Sequence, residues 1–152
     1  MQLTTVLASA GLVATALAAP SPRAAAATFK TAAAPQWTIT SMTRPCDQTD
    51  TKCTWSFGIN RNDGSEIQTC TFDITTGEPG ASRTDLKDPG APCGPYKVTT
   101  GWSNVFGDDA GFTTLSVVDV NARLIAWPSY TDAELANGAT VQPDKSWDVS
   151  GI

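Results

Sequence analysis

Histidine is absent from this chain of 152 residues. Without imidazole there is no Ser-His-Asp or Cys-His nucleophile and no histidine-ligated zinc, so general acid–base work would fall to carboxylates, lysine or tyrosine. Charge is sparse as well: Asp, Glu, Lys and Arg make up 16% of the chain, and 10 bases stand against 15 acids for a net charge of -5. Phosphate surfaces are gripped by clustered cations, so nucleic acid and anionic membranes are excluded as partners. There is no Asn-x-Ser/Thr sequon, no Cys-x-x-Cys pair and no calcium-loop spacing. N-glycan, a cysteine metal site and an EF-hand ion are therefore not expected, and neither is any cofactor.

The longest apolar stretch lies at the start. Residues 1–18 carry no charged side chain, run through Leu3, Val6, Leu7, Leu12, Val13 and Leu17, and end in Ala16-Leu17-Ala18. This is the pattern of a secretory signal peptide with a small-x-small cleavage site, too short and too poorly flanked to be a transmembrane anchor. Residues 19–35, rich in Ala and Pro, have neither periodicity nor turn chemistry and read as a disordered arm or pro-segment. Residues 36–152 read as a single domain, and all 15 acids fall within it.

Export sets the chemistry of the four cysteines, Cys46, Cys53, Cys70 and Cys93, which read as two disulfides. Short alternating runs rich in Thr, Val, Ile and aromatics, broken by Gly, Pro, Asn and Asp, predict an all-β fold, a small antiparallel barrel or sandwich. Cys53, Trp55, Phe57 and Ile59 alternate with polar residues, as do Cys70, Phe72 and Ile74. A two-residue turn at Asp63-Gly64 would set Phe57 opposite Cys70, Trp55 opposite Phe72 and Cys53 opposite Ile74. Cys53 and Cys70 would then be offset by about 13 Å, too far for a disulfide. Two connectivities remain, and the favoured one is Cys46 to Cys53 with Cys70 to Cys93, closing loops worth about 2.5 and about 3.4 kcal/mol in chain entropy.

Further strands are expected at Trp37–Met42, Tyr96–Trp102, Phe112–Val120, Arg123–Trp127 and Trp147–Val149, with a turn at Asn121-Ala122. A change of phase between Val117 and Val118 suggests a bulge, and the segment from Thr76 to Pro92 reads as irregular. One short helix is predicted where Thr131-Asp132-Ala133-Glu134 has capping-box form and Asn137-Gly138 supplies a stop.

Asp108 and Asp109, with Asp119 nearby in sequence, are the acids best placed for a carboxylate pair, but neighbours on a Gly-flanked loop read as a solvated turn, and no catalytic or metal residue is assigned. Trp37, Trp55 and Trp147 alternate in phase with core residues. Trp102 differs, because its strand runs into Gly101-Trp102-Ser103-Asn104-Val105-Phe106-Gly107. Trp102, Asn104, Phe106, Asp108 and Asp109 are therefore the candidate partner-binding residues.

The order of these features carries a resemblance. The leader ending Ala16-Leu17-Ala18-Ala19-Pro20, then Arg44-Pro45-Cys46, Cys53-Thr54-Trp55-Ser56-Phe57, Cys93-Gly94, Gly101-Trp102-Ser103, the run from Gly111 to Asp119, and Arg123-Leu124-Ile125-Ala126 together resemble the small cysteine-containing secreted proteins of filamentous fungi. Within that group the chain most resembles the hypersensitive-response-inducing elicitors of the rice blast fungus. The resemblance implies a compact β-barrel with two disulfides, released into the plant apoplast, where it provokes defence responses and local cell death without enzymatic activity. The implied partner is a plant host protein or cell-surface receptor, with cell-wall glycan bound by exposed aromatics as the alternative.

Overall fold

Period-two alternation builds nearly every element of the computed structural model, which describes residues 35–152. The expected signal peptide and arm thus lie outside the described residues, Pro35 excepted. Nine strands follow in order: β1 Gln36–Thr43, β2 Lys52–Asn60, β3 Gln68–Thr75, β4 Leu86–Cys93, β5 Tyr96–Ser103, β6 Phe112–Asp119, β7 Leu124–Ala126, β8 Ser129–Thr131 and β9 Lys145–Gly151. All pair antiparallel in the path β3-β2-β1-β9-β7-β6-β5-β4, with β8 on β6. β9 serves both halves of the path: residues up to Asp148 pair with β1, and those from Val149 pair with β7.

The path curls into a nearly closed barrel filled by inward side chains. Trp37 and Ile39 from β1, Trp55, Phe57 and Ile59 from β2, Val98 from β5, and Leu115 and Val117 from β6 are buried in one cluster. Trp37 packs edge-on to Tyr96, and Trp147, partly buried against this core, packs edge-on to Tyr130. The three tryptophans assigned to the core therefore belong to it. No ladder joins the terminal strands β3 and β4. The Cys70–Cys93 disulfide does, with Cα atoms 5.1 Å apart. The second disulfide, Cys46–Cys53, braces the loop leading into β2. Both bonds match the favoured connectivity.

The β2–β3 register also matches: Phe57 faces Cys70, Trp55 faces Phe72 and Cys53 faces Ile74. The turn does not. The strands stop at Asn60 and Gln68, so the chain reverses through residues 61–67 rather than through Asp63-Gly64 alone. A centred loop preserves the partner sum whatever its length, which is why the register survives the error.

Three other expectations are corrected. The segment thought irregular contains β4, whose Pro89, Gly90 and Pro92 hide a strand from any propensity reading. Pro89 and Gly90 sit where the β4–β5 register shifts between Leu86 and Ala91, and the ladder then runs through Pro92, opposite Lys97, to the tight turn Cys93-Gly94-Pro95-Tyr96, where Gly94 takes φ 58°. The predicted bulge in β6 is absent. Its pairing with β5 is continuous, and Asp119, not Val118, takes the inward position at the strand's end. That carboxylate is buried against the Arg61 guanidinium at 2.7 Å and accepts the Ala122 amide at 2.9 Å, closing the β6–β7 turn. The true bulge is in β1, where Ser41 at φ 52° lets Met42 follow Ile39 into the core.

The short helix is the third. Thr131 and Glu134 make the reciprocal capping-box hydrogen bonds, but they close a single turn followed by a 3-10 turn at Ala136–Gly138. Leu135, buried in the core, anchors this connection. Asn137 in the left-handed region then ends it before an α-helix can propagate.

Removing the Cys70–Cys93 bond in a Cys70→Ser/Cys93→Ser double variant is expected to cost about 3 kcal/mol in a chemical denaturation series. Removing Cys46–Cys53 should cost less, and the reverse ranking would contradict the seam assignment. Arg61→Ala, which strips the cation from a buried carboxylate, is expected to cost about 3 kcal/mol in the same series. A loss below about 1 kcal/mol, the scale of an exposed pair, would refute the buried pairing.

Candidate functional site

The end of β5, the β5–β6 loop and the β8–β9 connection meet at one end of the barrel. Asp132 organises this end. Its carboxylate accepts from Arg44 Nη2 at 3.2 Å and from Trp102 Nε1 at 2.9 Å, and its backbone N–H donates to the Gly111 carbonyl at 2.9 Å. Arg44, almost wholly buried, also donates to the Ser82 carbonyl at 2.8 Å and lies over the Trp55 ring. A Cβ at Gly111 would collide with Asp132 Oδ2 and lie 3.1 Å from Trp102 Nε1, so a side chain there would displace the Asp132 carboxylate from its place beside the indole.

The five candidate residues divide in two. Trp102 is half-buried and fixed: its backbone N–H donates to Asp85 Oδ1 at 2.8 Å, and the Arg83 guanidinium covers its ring at 5.3 Å. It supports the loop and offers little free surface. Asn104, Phe106, Asp108 and Asp109 form the loop itself. Asn104 Nδ2 donates to Asp108 Oδ1 at 2.8 Å, the Gly107 N–H reaches the Asn104 carbonyl at 2.8 Å, and Asp108–Ala110 form a 3-10 turn. This turn presents Val105 and Phe106, 71% and 78% exposed, the two most exposed large apolar side chains among the described residues. Isolated exposed apolar residues are common, but two adjacent ones on a braced tip form a contact surface.

Phe106 is supported from below by Phe112, the rings stacked at 5.8 Å with an interplanar angle of 27°. Beside this pair runs an open cleft of ≈ 630 Å³, lined also by Ser129 and Thr131 of β8 and by Ala133, Glu134 and Lys145. Lys145 is engaged on two sides, by the Glu134 carboxylate and by the face of Tyr130 at 5.1 Å. Burial pushes the Glu134 carboxyl up, yet hydrogen bonds from Lys145 and Thr131 outweigh it and hold the group below its ordinary value. Burial raises the Tyr130 phenol to about 12, so it stays protonated at physiological pH. The sequence reading did not assign Val105, Phe112, Glu134 or Lys145, because Phe112 resembles any strand residue and the last two approach from distant elements.

Asp119 does not join Asp108 and Asp109. It lies at the far end of β6, about 23 Å away along the strand, well beyond the separation of a glycosidase pair. Among the described residues one group, Cys46, Asp50 and Cys53, brings metal-ligating atoms within 4.8 Å of one another. Its two sulfurs are bonded to each other, so no thiolate is available to a metal. No described helix is long and apolar enough to cross a membrane.

Phe106→Ala is expected to leave unfolding free energy within about 0.5 kcal/mol of the parent, and Trp102→Ala to cost about 3 kcal/mol. Equal losses in a denaturation series would contradict the division between displayed and supporting aromatics.

The barrel and its loop end fall within the region shared with known proteins. A family model described as Effector TSP1 matches residues 38–152. A protein of Hypocrea virens described as Effector TSP1 is 38% identical over 148 residues, covering 97% of this chain and 96% of its own. The disulfide-braced β-barrel described above is thus the fold of a fungal effector, and the chain belongs to the Effector TSP1 family.

Proposed function

We propose that this protein is exported by a fungus into the plant apoplast, where it elicits defence responses and hypersensitive cell death by presenting a folded surface to a host protein, without catalysing a reaction. The displayed Val105-Phe106 tip carries this reading. Exposed apolar side chains bring no benefit to an isolated soluble domain, whereas anchors of this kind dominate protein interfaces. Membership of an effector family supports the outward role. The two disulfides fit an oxidising compartment. The scattered carboxylates, the absence of histidine and the protonated Tyr130 give no acid–base pair on which to build a hydrolase.

Infiltration of purified protein into leaves tests this directly. The parent protein is expected to cause local cell death at a dose where Phe106→Ala is at least about tenfold weaker, the usual scale for loss of an interface anchor. Reduced and alkylated protein should be inactive. Undiminished elicitation by the alkylated chain would show that a linear epitope, not the folded surface, is recognised. Equal potency of Phe106→Ala would remove the loop from the interface.

A further inference from the structure

The charges around the cleft do not balance, and their imbalance identifies what the cleft receives. Of the cations nearest the cleft, Arg44 is paired with Asp132 and Lys145 with Glu134, and Arg83, which lies over the Trp102 ring and pairs with no carboxylate, does not line the cleft. Asp108 accepts a hydrogen bond from Asn104, a neutral donor that leaves its charge intact. Asp109, which lines the cleft beside Phe106, takes part in none of the ion pairs among the described residues. The cleft is therefore lined by an exposed aromatic ring, a second ring stacked against it and a carboxylate that no ion pair compensates.

We propose that this cleft receives an arginine side chain of the partner protein, flanked in the partner by apolar residues. The proposal rests on the reading that the loop end faces a host protein, and it names the chemistry of that contact. An aromatic face attracts a cation, and a carboxylate alongside accepts its N–H groups, so one guanidinium satisfies both at once. Arginine fits better than lysine because its plane stacks on a ring while its edge donates to the carboxylate, and because it is less strongly hydrated. An anionic ligand would meet the unpaired carboxylate of Asp109. A neutral sugar can donate hydroxyl hydrogen bonds to Asp109 but leaves its charge uncompensated. Flanking apolar residues would cover Val105 and the cleft floor at Phe112, which the arginine alone leaves bare.

The test needs no plant. Isotope-labelled protein with both disulfides intact is titrated by NMR with acetyl-Leu-Arg-Leu-amide and with its citrulline counterpart, which keeps the shape and loses the charge. Amide shifts are expected over residues 105–112, with the arginine peptide bound about fivefold tighter at low salt. Asp109→Asn should abolish that preference, and Phe106→Leu, which keeps apolar bulk without a ring, should reduce it. Equal binding of the two peptides, no binding by either, shifts that map elsewhere, or a preference that persists in Asp109→Asn would each overturn the proposal. If the arginine preference holds while Phe106→Ala remains fully active in leaves, the docking role fails and the arginine site stands. If Phe106 is needed in leaves and no preference is seen, the arginine assignment alone fails.

Discussion

The Cys70–Cys93 bond is the constraint on which the barrel depends. A curled sheet must either pair its two terminal strands or leave their backbone groups open, and open edges invite pairing with other chains. Here β3 and β4 meet without a ladder, and a covalent link supplies what hydrogen bonds do not. Pro89 and Pro92 remove two amide donors from β4, which helps explain why no ladder forms and also makes this edge a poor template for aggregation. The position of Cys93 immediately before the Gly94-Pro95 turn fixes the whole β4–β5 hairpin relative to β3. β5 is the strand that runs out into the displayed loop, so closure of the seam and presentation of the loop are mechanically linked.

At the loop end, polar interactions position apolar ones. Asp132 holds Arg44, Trp102 and the Gly111 backbone together, which sets where the loop leaves β5 and re-enters β6. Between these anchors the loop is short, and its own hydrogen bonds from Asn104 to Asp108 and from Gly107 to Asn104 shape a turn with Val105 and Phe106 at its tip. Such preorganisation reduces the entropy lost on binding. This end of the barrel carries exposed apolar side chains at the loop tip and carboxylates beside them.

Local alternation was legible in the sequence, and long-range compensation was not. The register of β2 on β3 followed from the apolar phase of Trp55, Phe57, Cys70 and Phe72, and it excluded the one disulfide that geometry forbids. β4 was invisible because a strand held by a disulfide and by its neighbour tolerates the prolines that normally argue against a strand. Asp119 broke the apparent alternation of β6 because its partner, Arg61, comes from another part of the chain, so a buried acid looked like a phase change. The same blindness affected the site. Trp102 stood out as an aromatic in a glycine-bounded loop, but Asp132, Arg83 and Asp85, which fix it, are distributed across other loops. Phe106 needed Phe112, Lys145 and Glu134 beside it before the cleft existed at all.

Native-state hydrogen exchange on protein in which Cys70–Cys93 alone has been reduced tests the central claim most directly. If the cystine is the seam, amides of β4 and of its ladder with β5 lose protection together, followed by those of the β5–β6 loop, while β1, β2 and β9 stay protected. Uniform loss of protection across all strands, or unchanged protection in β4 and β5, would contradict a barrel closed at this one bond.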